Sequence, residues 1–348
     1  MRNGNTRWFF SAGGALALSL LLLVALVGAR APSMMILLDV LVVLMLVPAF
    51  FVAGFAWLFS FSERTRPRRL RAALSLASTI VLLAAVYHAA IALLDNALEN
   101  RDFSNVYSDC RKVWATRGLV NADASDHTAG NSIETVSLAF ARGVRGTEVD
   151  VFYDPELEQY VVSHNFPYDL KDGELLSLDK LLAEVGGKHY YWLDFKHMRH
   201  LTDEQTAAAV ARLEEIARRN ALGKTNIYVE GAAPFHLGHF RDAGFATIFD
   251  IHPLADDHLM TPVIVNLYKA IFHFGDFSVI AMKYGEADAP IYGPRTRELL
   301  GDIPTFVYHV PDDAGLLREL SALPPVRVLL DHDHSANHYA IDSCAKQP

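Results

Sequence analysis

Residues 146–153 read Gly-Thr-Glu-Val-Asp-Val-Phe-Tyr, with carboxylates and valines at alternate positions. Side chains two residues apart share one face of a β-strand, so Glu148 and Asp150 point to one side while Val149 and Val151 point to the other. In a closed parallel barrel the valines would pack on surrounding helices and the carboxylates would enter the lumen. The stretch therefore predicts a barrel strand with a charged inner face.

On both sides of this strand, short β-branched and aromatic runs alternate with helical patterns, which favours a parallel sheet covered by helices over a sandwich. The predicted strands are Lys112–Thr116, Gly146–Tyr153, Tyr160–Ser163, His189–Phe195, Asn226–Glu230, Thr247–Ile251, Ser278–Lys283, Thr305–His309 and Arg327–Asp331. The pattern predicts an α/β fold, a (β/α)8 TIM barrel over residues 112–340 with one extra strand or hairpin arm, after a linker at residues 95–111.

The clearest helical pattern between these strands is Asp203–Asn220, where Thr202 can cap the helix and Gln205 completes a capping box. Shorter helices are predicted at Ser132–Arg142 and Asp313–Leu320. The apolar run Met260–Phe274 fits a helix touching a membrane surface or a buried barrel helix, and the buried barrel helix is the default interpretation.

The first 94 residues have a different composition, with three apolar stretches long enough to cross a hydrocarbon core as helices. These predicted spans are about Trp8–Ala29, Met35–Phe61 and Ala72–Leu94. The first has no clear cleavage site and is followed by two more, so it is interpreted as a retained helix rather than a signal peptide. The sequence predicts a three-helix transmembrane anchor at residues 1–94.

The arginines in the short loops predict the orientation of this anchor, because Lys and Arg there stay cytoplasmic. The loop between the second and third spans holds Arg64, Arg66, Arg68, Arg69 and Arg71. This places the N-terminus in the cytoplasm and the domain after Leu94 on the periplasmic or extracellular side of the cell (inner) membrane. Residues 95–348 hold 23 basic and 38 acidic side chains, a net charge of −15, which gives no electrostatic reason to bind nucleic acid.

The two cysteines, Cys110 and Cys344, lie near the two ends of the predicted barrel domain. An oxidising compartment permits a disulfide, which would join the ends of a closed barrel. Two free, buried cysteines are an equally good interpretation.

A second polar pattern follows at residues 191–196, which read Tyr-Trp-Leu-Asp-Phe-Lys. Alternation places Trp192, Asp194 and Lys196 on one face of the next strand. Together with Glu148 and Asp150, Asp194 gives three carboxylates converging on the lumen, and oxygen ligands of this kind suit Mg²⁺ or Ca²⁺. One acidic strand could simply face solvent at a barrel end, but two strands with the same polar face favour a site.

Two further residues fall at the C-terminal ends of strands, where barrel enzymes carry their chemistry. His164 follows the strand at Tyr160–Ser163 and could act as a general acid or base beside a metal. Arg117 follows the first strand and could clamp a phosphate through its fork of donors.

The order of these motifs resembles the glycerophosphodiester phosphodiesterase family, within the phospholipase C-like phosphodiesterase barrels. That family reads His-Arg-Gly after its first strand, then Glu-Asn-Thr opening a helix, then Glu-x-Asp, His-Asp and Glu-x-Lys. The segments here, in the same order, are Thr116-Arg117-Gly118, Asn131-Ser132-Ile133-Glu134-Thr135, Glu148-Val149-Asp150, His164-Asn165 and Asp194-Phe195-Lys196. The resemblance spans about Val113 to Asp333 and includes a closing segment that contains Tyr308.

The resemblance implies a divalent metal, Mg²⁺ or Ca²⁺, held by Glu148, Asp150 and Asp194. It implies a phosphate bound by Arg117 and Lys196, with catalysis by these cations and a pair of histidines. Trp192 and Tyr308 are two further candidate contacts to the substrate. Sphingomyelinase D-like enzymes share this scheme and use an Asp-x-Lys pair, so lysophospholipid and sphingolipid substrates stay open.

One departure from the family bears on catalysis, because its first histidine is Thr116 here. Threonine does not exchange protons near neutral pH. His127, in the long loop that follows Gly118, could supply the missing imidazole, or it could be an exposed loop residue of a domain without ordinary phosphodiesterase activity.

Two functions follow as hypotheses. The first is a membrane-anchored, metal-dependent phosphodiesterase that hydrolyses glycerophosphodiesters or phospholipid headgroups at the outer face of the membrane bilayer. The second is a degenerate barrel that binds a lipid, a phosphodiester or a partner protein without turnover. Thr116 supports it, because this residue replaces the family's first histidine.

Overall fold

The computed structural model describes residues 68–119, 130–331 and 338–344. The first two predicted membrane spans lie outside these residues, and the third falls within helix α1 (Arg68–Glu99). Within the described ranges, no helix combines the length and the apolar character needed to cross a membrane. The residues from Ala97 onward form one compact unit, which is the barrel domain.

The barrel is a closed ring of eight parallel strands, in which the first strand pairs with both the second and the last. The ring consists of β1 (Val113–Thr116), β2 (Gly146–Asp154), β4 (Tyr190–Phe195), β5 (Ile227–Gly231), β6 (Ala246–Asp250), β7 (Val279–Lys283), β8 (Thr305–Val310) and β9 (Val326–Asp331). The remaining strand, β3 (Gln159–Val162), is antiparallel to β2 and lies outside the ring. The predicted (β/α)8 barrel with one hairpin arm is confirmed.

Seven helices cover the described barrel. They are α2 (Ile133–Ala141), α3 (Leu178–Val185), α4 (Asp203–Arg219), α5 (Pro234–Asp242), α6 (Thr261–Gly275), α7 (Pro294–Leu300) and α8 (Ala314–Ser321). The predicted capping box of Thr202 and Gln205 opens α4. Helix α6 buries Val265 and Phe272 but leaves Leu267 half exposed, so it packs on the barrel with one face only.

Large aromatic side chains fill the lower part of the lumen. Trp114, Trp192, Tyr228 and Phe306 belong to one buried cluster, contributed by four different strands. Tyr107, in the segment predicted as a linker, joins this cluster, and its backbone N–H donates to Tyr228 Oη at 2.8 Å. Because this layer closes the lumen from below, polar chemistry is confined to the C-terminal ends of the strands.

Strand β2 reaches this cluster through Gly146, whose missing side chain makes room for the Trp114 indole. A Cβ atom at Gly146 would lie 2.5 Å from the indole ring. The rest of β2 is buried up to its last residue, Asp154. Close packing below therefore sets the height at which the Glu148 and Asp150 side chains enter the lumen.

Cys110 and Cys344 form a disulfide that links the segment before β1 to the segment after β9. Ser343 N donates to Cys110 O at 2.9 Å in the same contact. Of the two interpretations left open by the sequence, the structure has the disulfide. The bridge spans 234 positions of sequence and therefore ties together the two ends of the ring.

Reducing this disulfide is expected to lower the free energy of unfolding by about 2–4 kcal/mol, because the cross-link restricts the unfolded chain. Urea denaturation with and without reductant measures the difference. The Cys110→Ser/Cys344→Ser double variant is the control, since reductant should leave its midpoint unchanged. Equal midpoints for the oxidised and reduced wild-type protein would contradict the expectation.

Candidate active site

A cavity of about 420 Å³ occupies the lumen above the aromatic layer, within the usual size range of small-molecule sites. It opens at the C-terminal ends of the strands, and this opening is called the mouth below. The cavity is lined by Thr116, Arg117, Glu148, His164, Trp192, Asp194, Lys196, Glu230, Asp250, Tyr308, His309 and Leu330. It therefore brings together, among its lining residues, every described candidate from the sequence except Asp150.

Asp150 does not line the cavity and is fully buried. Its carboxylate accepts a hydrogen bond from Asn131 Nδ2 at 2.7 Å and pairs with Arg117 Nε at 2.8 Å and Lys196 Nζ at 2.8 Å. His164 Nδ1 lies 3.1 Å from the same carboxylate. Asp150 therefore holds two cations and an imidazole in fixed positions around one point.

These partners set the charge state of Asp150. Burial alone would raise its pKa, but the hydrogen bond with His164 and the charges of Lys196 and Arg117 outweigh burial and hold the pKa well below its usual range. Asp150 is therefore a carboxylate at any physiological pH, and its negative charge compensates the cations above it.

A tight turn after β1 places Arg117 over this carboxylate. Arg117 has φ +55° and Gly118 has φ +80°, and a side chain at Gly118 would collide with the backbone of Thr135. Arg117 N donates to Glu148 Oε2 at 3.0 Å. The left-handed turn needs glycine in its second position, which explains why Arg-Gly stands here.

Glu148, Asp150 and Asp194 form the acidic cluster that the sequence predicted. One carboxylate oxygen from each lies within 4.8 Å of the others. Burial, then the charges of Asp150 and Asp194, raises the pKa of Glu148 well above its usual value. Three carboxylates with an unfavourable excess of negative charge fit a hard divalent cation, and Mg²⁺ and Ca²⁺ take such oxygen ligands.

Lys196 lies at the edge of the acidic cluster and bonds both Asp150 and Asp194. Burial opposes its charge, but the two carboxylates raise its pKa above the usual value, so it is a cation. Burial raises the pKa of Asp194 to about 6, with Asp150 adding to the shift while Lys196 lowers it. Lys196 and Arg117 thus present positive charge on the same side of the cavity.

Thr116 lines the cavity at the end of β1. The glycerophosphodiester phosphodiesterase family, which the sequence resembles, has its first histidine at this position. His127, the predicted replacement, falls in residues 120–129, outside the described residues. Its role therefore stays a prediction.

The opposite side of the cavity contains two carboxylates that the sequence did not single out. Glu230 is buried and accepts a hydrogen bond from Trp192 Nε1 at 2.5 Å, while Asp250 accepts one from Tyr308 Oη at 3.2 Å and pairs with His252 at 3.0 Å. Burial, followed by the charges of Asp194 and Asp250, raises the pKa of Glu230 well above its usual value. These bonds orient the two aromatic rings predicted to contact substrate.

The signal for Glu230 was present in the sequence, because it alternates with Tyr228 on a predicted strand. Asp250 also ends a strand, at the edge where parallel barrels carry their chemistry. Neither position belongs to the motifs that carry the family resemblance.

The fold and the site define a class: an eight-stranded parallel barrel with a charged cavity at the carboxyl ends of its strands. No protein-family model matches the chain, and no curated protein does. Solved structures that match include several glycerophosphodiester phosphodiesterases.

A putative glycerophosphoryl diester phosphodiesterase from Silicibacter pomeroyi is 15% identical, with 67% of this chain and 94% of that one covered and a TM-score of 0.49. A glycerophosphodiester phosphodiesterase from Parabacteroides distasonis is 18% identical, with 65% and 94% covered and a TM-score of 0.45. A phosphodiesterase from Oleispira antarctica, in complex with the product sn-glycerol-3-phosphate, is 11% identical, with 66% and 96% covered and a TM-score of 0.45.

Proposed function

We propose that this protein is a metal-dependent phosphodiesterase, anchored by three N-terminal helices, that hydrolyses glycerophosphodiesters or phospholipid headgroups at the outer face of the membrane. One observation carries the proposal: two cations, Arg117 and Lys196, line one cavity with Glu148 and Asp194, and both pair with the buried Asp150. A phosphodiester is an anion that matches this arrangement of charges.

The two cations have complementary roles toward a phosphate. Arg117 presents a planar fork of donors, and Lys196 presents a compact charge held by Asp150 and Asp194. Cations that are already held in place stabilise the charge that develops on phosphate oxygens in the transition state, and they need little reorganisation. A divalent ion on the acidic cluster would add Lewis-acid polarisation of the phosphate.

His164 would exchange protons with the reacting groups. Its imidazole lines the cavity, where Nδ1 lies 3.1 Å from Asp150 Oδ2 and 2.8 Å from Arg117 Nη2, and these contacts fix the ring in a position to remove a proton from water. A second titratable group is needed for the leaving oxygen, and His127 is the candidate from the sequence.

The membrane assignment rests on residues 1–94, with their three apolar stretches and the arginines of their loops. It places the barrel domain on the periplasmic or extracellular side, where a disulfide such as Cys110–Cys344 persists. The excess of acidic residues in the domain argues against nucleic acid as a partner. A phospholipid, or a diester released from one, is then the accessible substrate.

A second candidate is a barrel that binds a phosphodiester without turnover, and Thr116 favours it because it cannot exchange protons near neutral pH. A sphingomyelinase D-like phospholipase is a variant of the first candidate, supported by the Asp194-x-Lys196 pair. A substrate panel separates these possibilities.

The test is hydrolysis of glycerophosphodiesters, lysophospholipids and sphingomyelin by the full chain with Mg²⁺ or Ca²⁺ and with chelator. We expect turnover that the chelator abolishes and that Glu148→Gln lowers by about 10²–10³-fold, because a ligand of the charge-stabilising group is lost. Glu174→Gln, at an exposed carboxylate away from the cavity, is the control. Turnover of no substrate would favour the binding protein.

Metal binding has a readout that does not depend on activity. A divalent ion at about 100 times its dissociation constant stabilises the folded state by about 2.7 kcal/mol, which raises the melting temperature by about 5–10 °C for a domain of this size. Wild-type protein should show this shift with Mg²⁺ or Ca²⁺, and Glu148→Gln should not. Equal shifts in both proteins would place the ion elsewhere.

A further inference from the structure

Strand β8 contains a bulge at the edge of the cavity. Its pairing with β9 runs Val307 with Leu329 and then Val310 with Asp331. Two residues of β8, Tyr308 and His309, therefore stand opposite the single residue Leu330. Bulges of this kind re-aim side chains and occur next to active sites.

The bulge changes which way His309 faces. In a regular strand, side chains alternate, so Phe306 and Tyr308 would share the lumen face while Val307 and His309 faced the helices. Here both Tyr308 and His309 line the cavity, with their rings perpendicular and 5.1 Å apart. His309 adopts φ +50°, a left-handed conformation that non-glycine residues rarely hold.

This strained backbone is maintained although it disfavours the folded state, and such residues cluster at functional sites. His309 is also exposed to solvent at the mouth, so a bound molecule could reach its imidazole. The position therefore combines an unusual backbone, a titratable ring and access to the charged cavity.

The site lacks a second proton-transfer group among the residues that carry the family resemblance. His164 follows β3, which pairs with β2, whereas His309 belongs to β8, three strands away around the ring through β1 and β9. The two imidazoles thus reach the mouth from different sides. Hydrolysis of a diester places the attacking and leaving oxygens on opposite sides of phosphorus, which requires proton transfer at two separated points.

We propose that His309 is the general acid of this site and carries out the proton transfer that Thr116 cannot. The inference rests on the proposed phosphodiesterase function. As a water oxygen bonds to phosphorus, His164 takes a proton from that water. The phosphorus–oxygen bond to the alcohol breaks, and His309 gives its proton to the leaving oxygen, so that a phosphate monoester and an alcohol result.

The elements around His309 contribute several charged and titratable groups. Tyr308 stands beside it and bonds Asp250, which in turn pairs with His252. Lys283 ends β7 and pairs in register with Tyr308. On the β9 and β1 side, the cavity-lining residues are the uncharged Leu330 and Thr116 and the cationic Arg117.

The test uses two substrates that differ in their need for an acid. Glycerophosphocholine releases an alkoxide that must be protonated, whereas bis(p-nitrophenyl) phosphate releases a stable phenolate. His309→Asn keeps a residue that tolerates the left-handed backbone but removes the titratable ring. We expect the variant to lose about 10²–10⁴-fold in kcat/KM on glycerophosphocholine and less than about tenfold on the aryl diester.

The pH profile gives an independent readout. A general acid must carry its proton, so wild-type kcat/KM on glycerophosphocholine should fall on the alkaline side, and this limb should disappear in His309→Asn. His197→Asn is the matched control, because His197 is also exposed and left-handed, with φ +59°, at the end of another strand but outside the cavity lining. It should retain wild-type activity and the alkaline limb.

Three results would overturn the inference. In the first, His309→Asn retains wild-type activity on glycerophosphocholine. If His127→Asn then loses this activity, the general acid is His127. In the second, His309→Asn loses the same factor in kcat/KM on both substrates, which would make His309 a positioning residue. If the wild-type protein hydrolysed neither diester, both the proposed function and the role of His309 would be wrong. If the wild-type protein hydrolysed them and His309→Asn did so equally well, only the role of His309 would be wrong.

Discussion

Asp150→Asn is expected to abolish activity and to lower the free energy of unfolding by about 3–5 kcal/mol, the cost of removing one partner from a buried charged pair. The Asp150 side chain is fully buried and compensates both Arg117 and Lys196. An uncharged amide removes the carboxylate partner of Arg117 and leaves Lys196 with Asp194 alone. Urea denaturation and diester hydrolysis measure the two effects.

The same substitution should change the dependence of stability on pH. The pKa of Asp150 is depressed in the folded protein by His164, Lys196 and Arg117, which outweigh the effect of burial. A carboxylate with a depressed pKa stabilises the folded protein at pH values above its pKa in the unfolded chain, about 3.9. This stabilisation is lost as the pH falls from there toward the pKa in the folded protein. Asp150→Asn should therefore lose less stability than the wild type between neutral pH and acid.

Asp154→Asn, at the end of the same strand, is the control for both measurements. Asp154 is partly exposed and accepts hydrogen bonds from the backbone of Glu156 and Leu157 and from Tyr168. Its replacement should cost about 1 kcal/mol and leave activity intact. A similar cost at both positions would show that Asp150 does not organise the site.

Lys196→Met is expected to lower kcat/KM for a phosphodiester by about 10²–10³-fold, the usual cost of losing one group that stabilises developing charge. Methionine keeps much of the length of the side chain and removes the ammonium that bonds Asp150 and Asp194. Steady-state kinetics on the most active diester of the panel measure the effect. The circular dichroism spectrum of the variant should match that of the wild type.

Lys283→Met controls for the loss of a lysine at the end of a barrel strand. Lys283 ends β7, is 42% exposed, and lies 3.7 Å from the exposed Glu286. Surface pairs of this kind contribute little, so this variant should keep wild-type kinetics. Equal losses in the two variants would mean that general surface charge, rather than a phosphate contact, governs turnover.

Much of the barrel could be predicted because strand periodicity is a local property. All nine strands begin and end within two residues of their predicted bounds, and Glu148, Asp150, Asp194 and Lys196 meet as their alternation indicated. Two carboxylates two residues apart share a face whichever strands lie beside them. The partners of those strands were not needed for that conclusion.

Other features depend on pairs of elements that are distant in the sequence. The Cys110–Cys344 disulfide requires the two ends of the ring to meet, and the bond of Tyr308 to Asp250 requires β6 and β8 to face one cavity. Pairing across a closed ring is set by strand order and register, which no single segment encodes.

The barrel strands, their acidic inner face and the lack of a titratable side chain at Thr116 could each be predicted from one segment and its residue types. The direction of the His309 side chain, in contrast, depends on how β8 pairs with β9. Alternation along β8 would have directed it toward the helices, but the bulge against β9 turns it into the cavity. A bulge is a mismatch between two paired strands, so its physical cause lies in how they pack together.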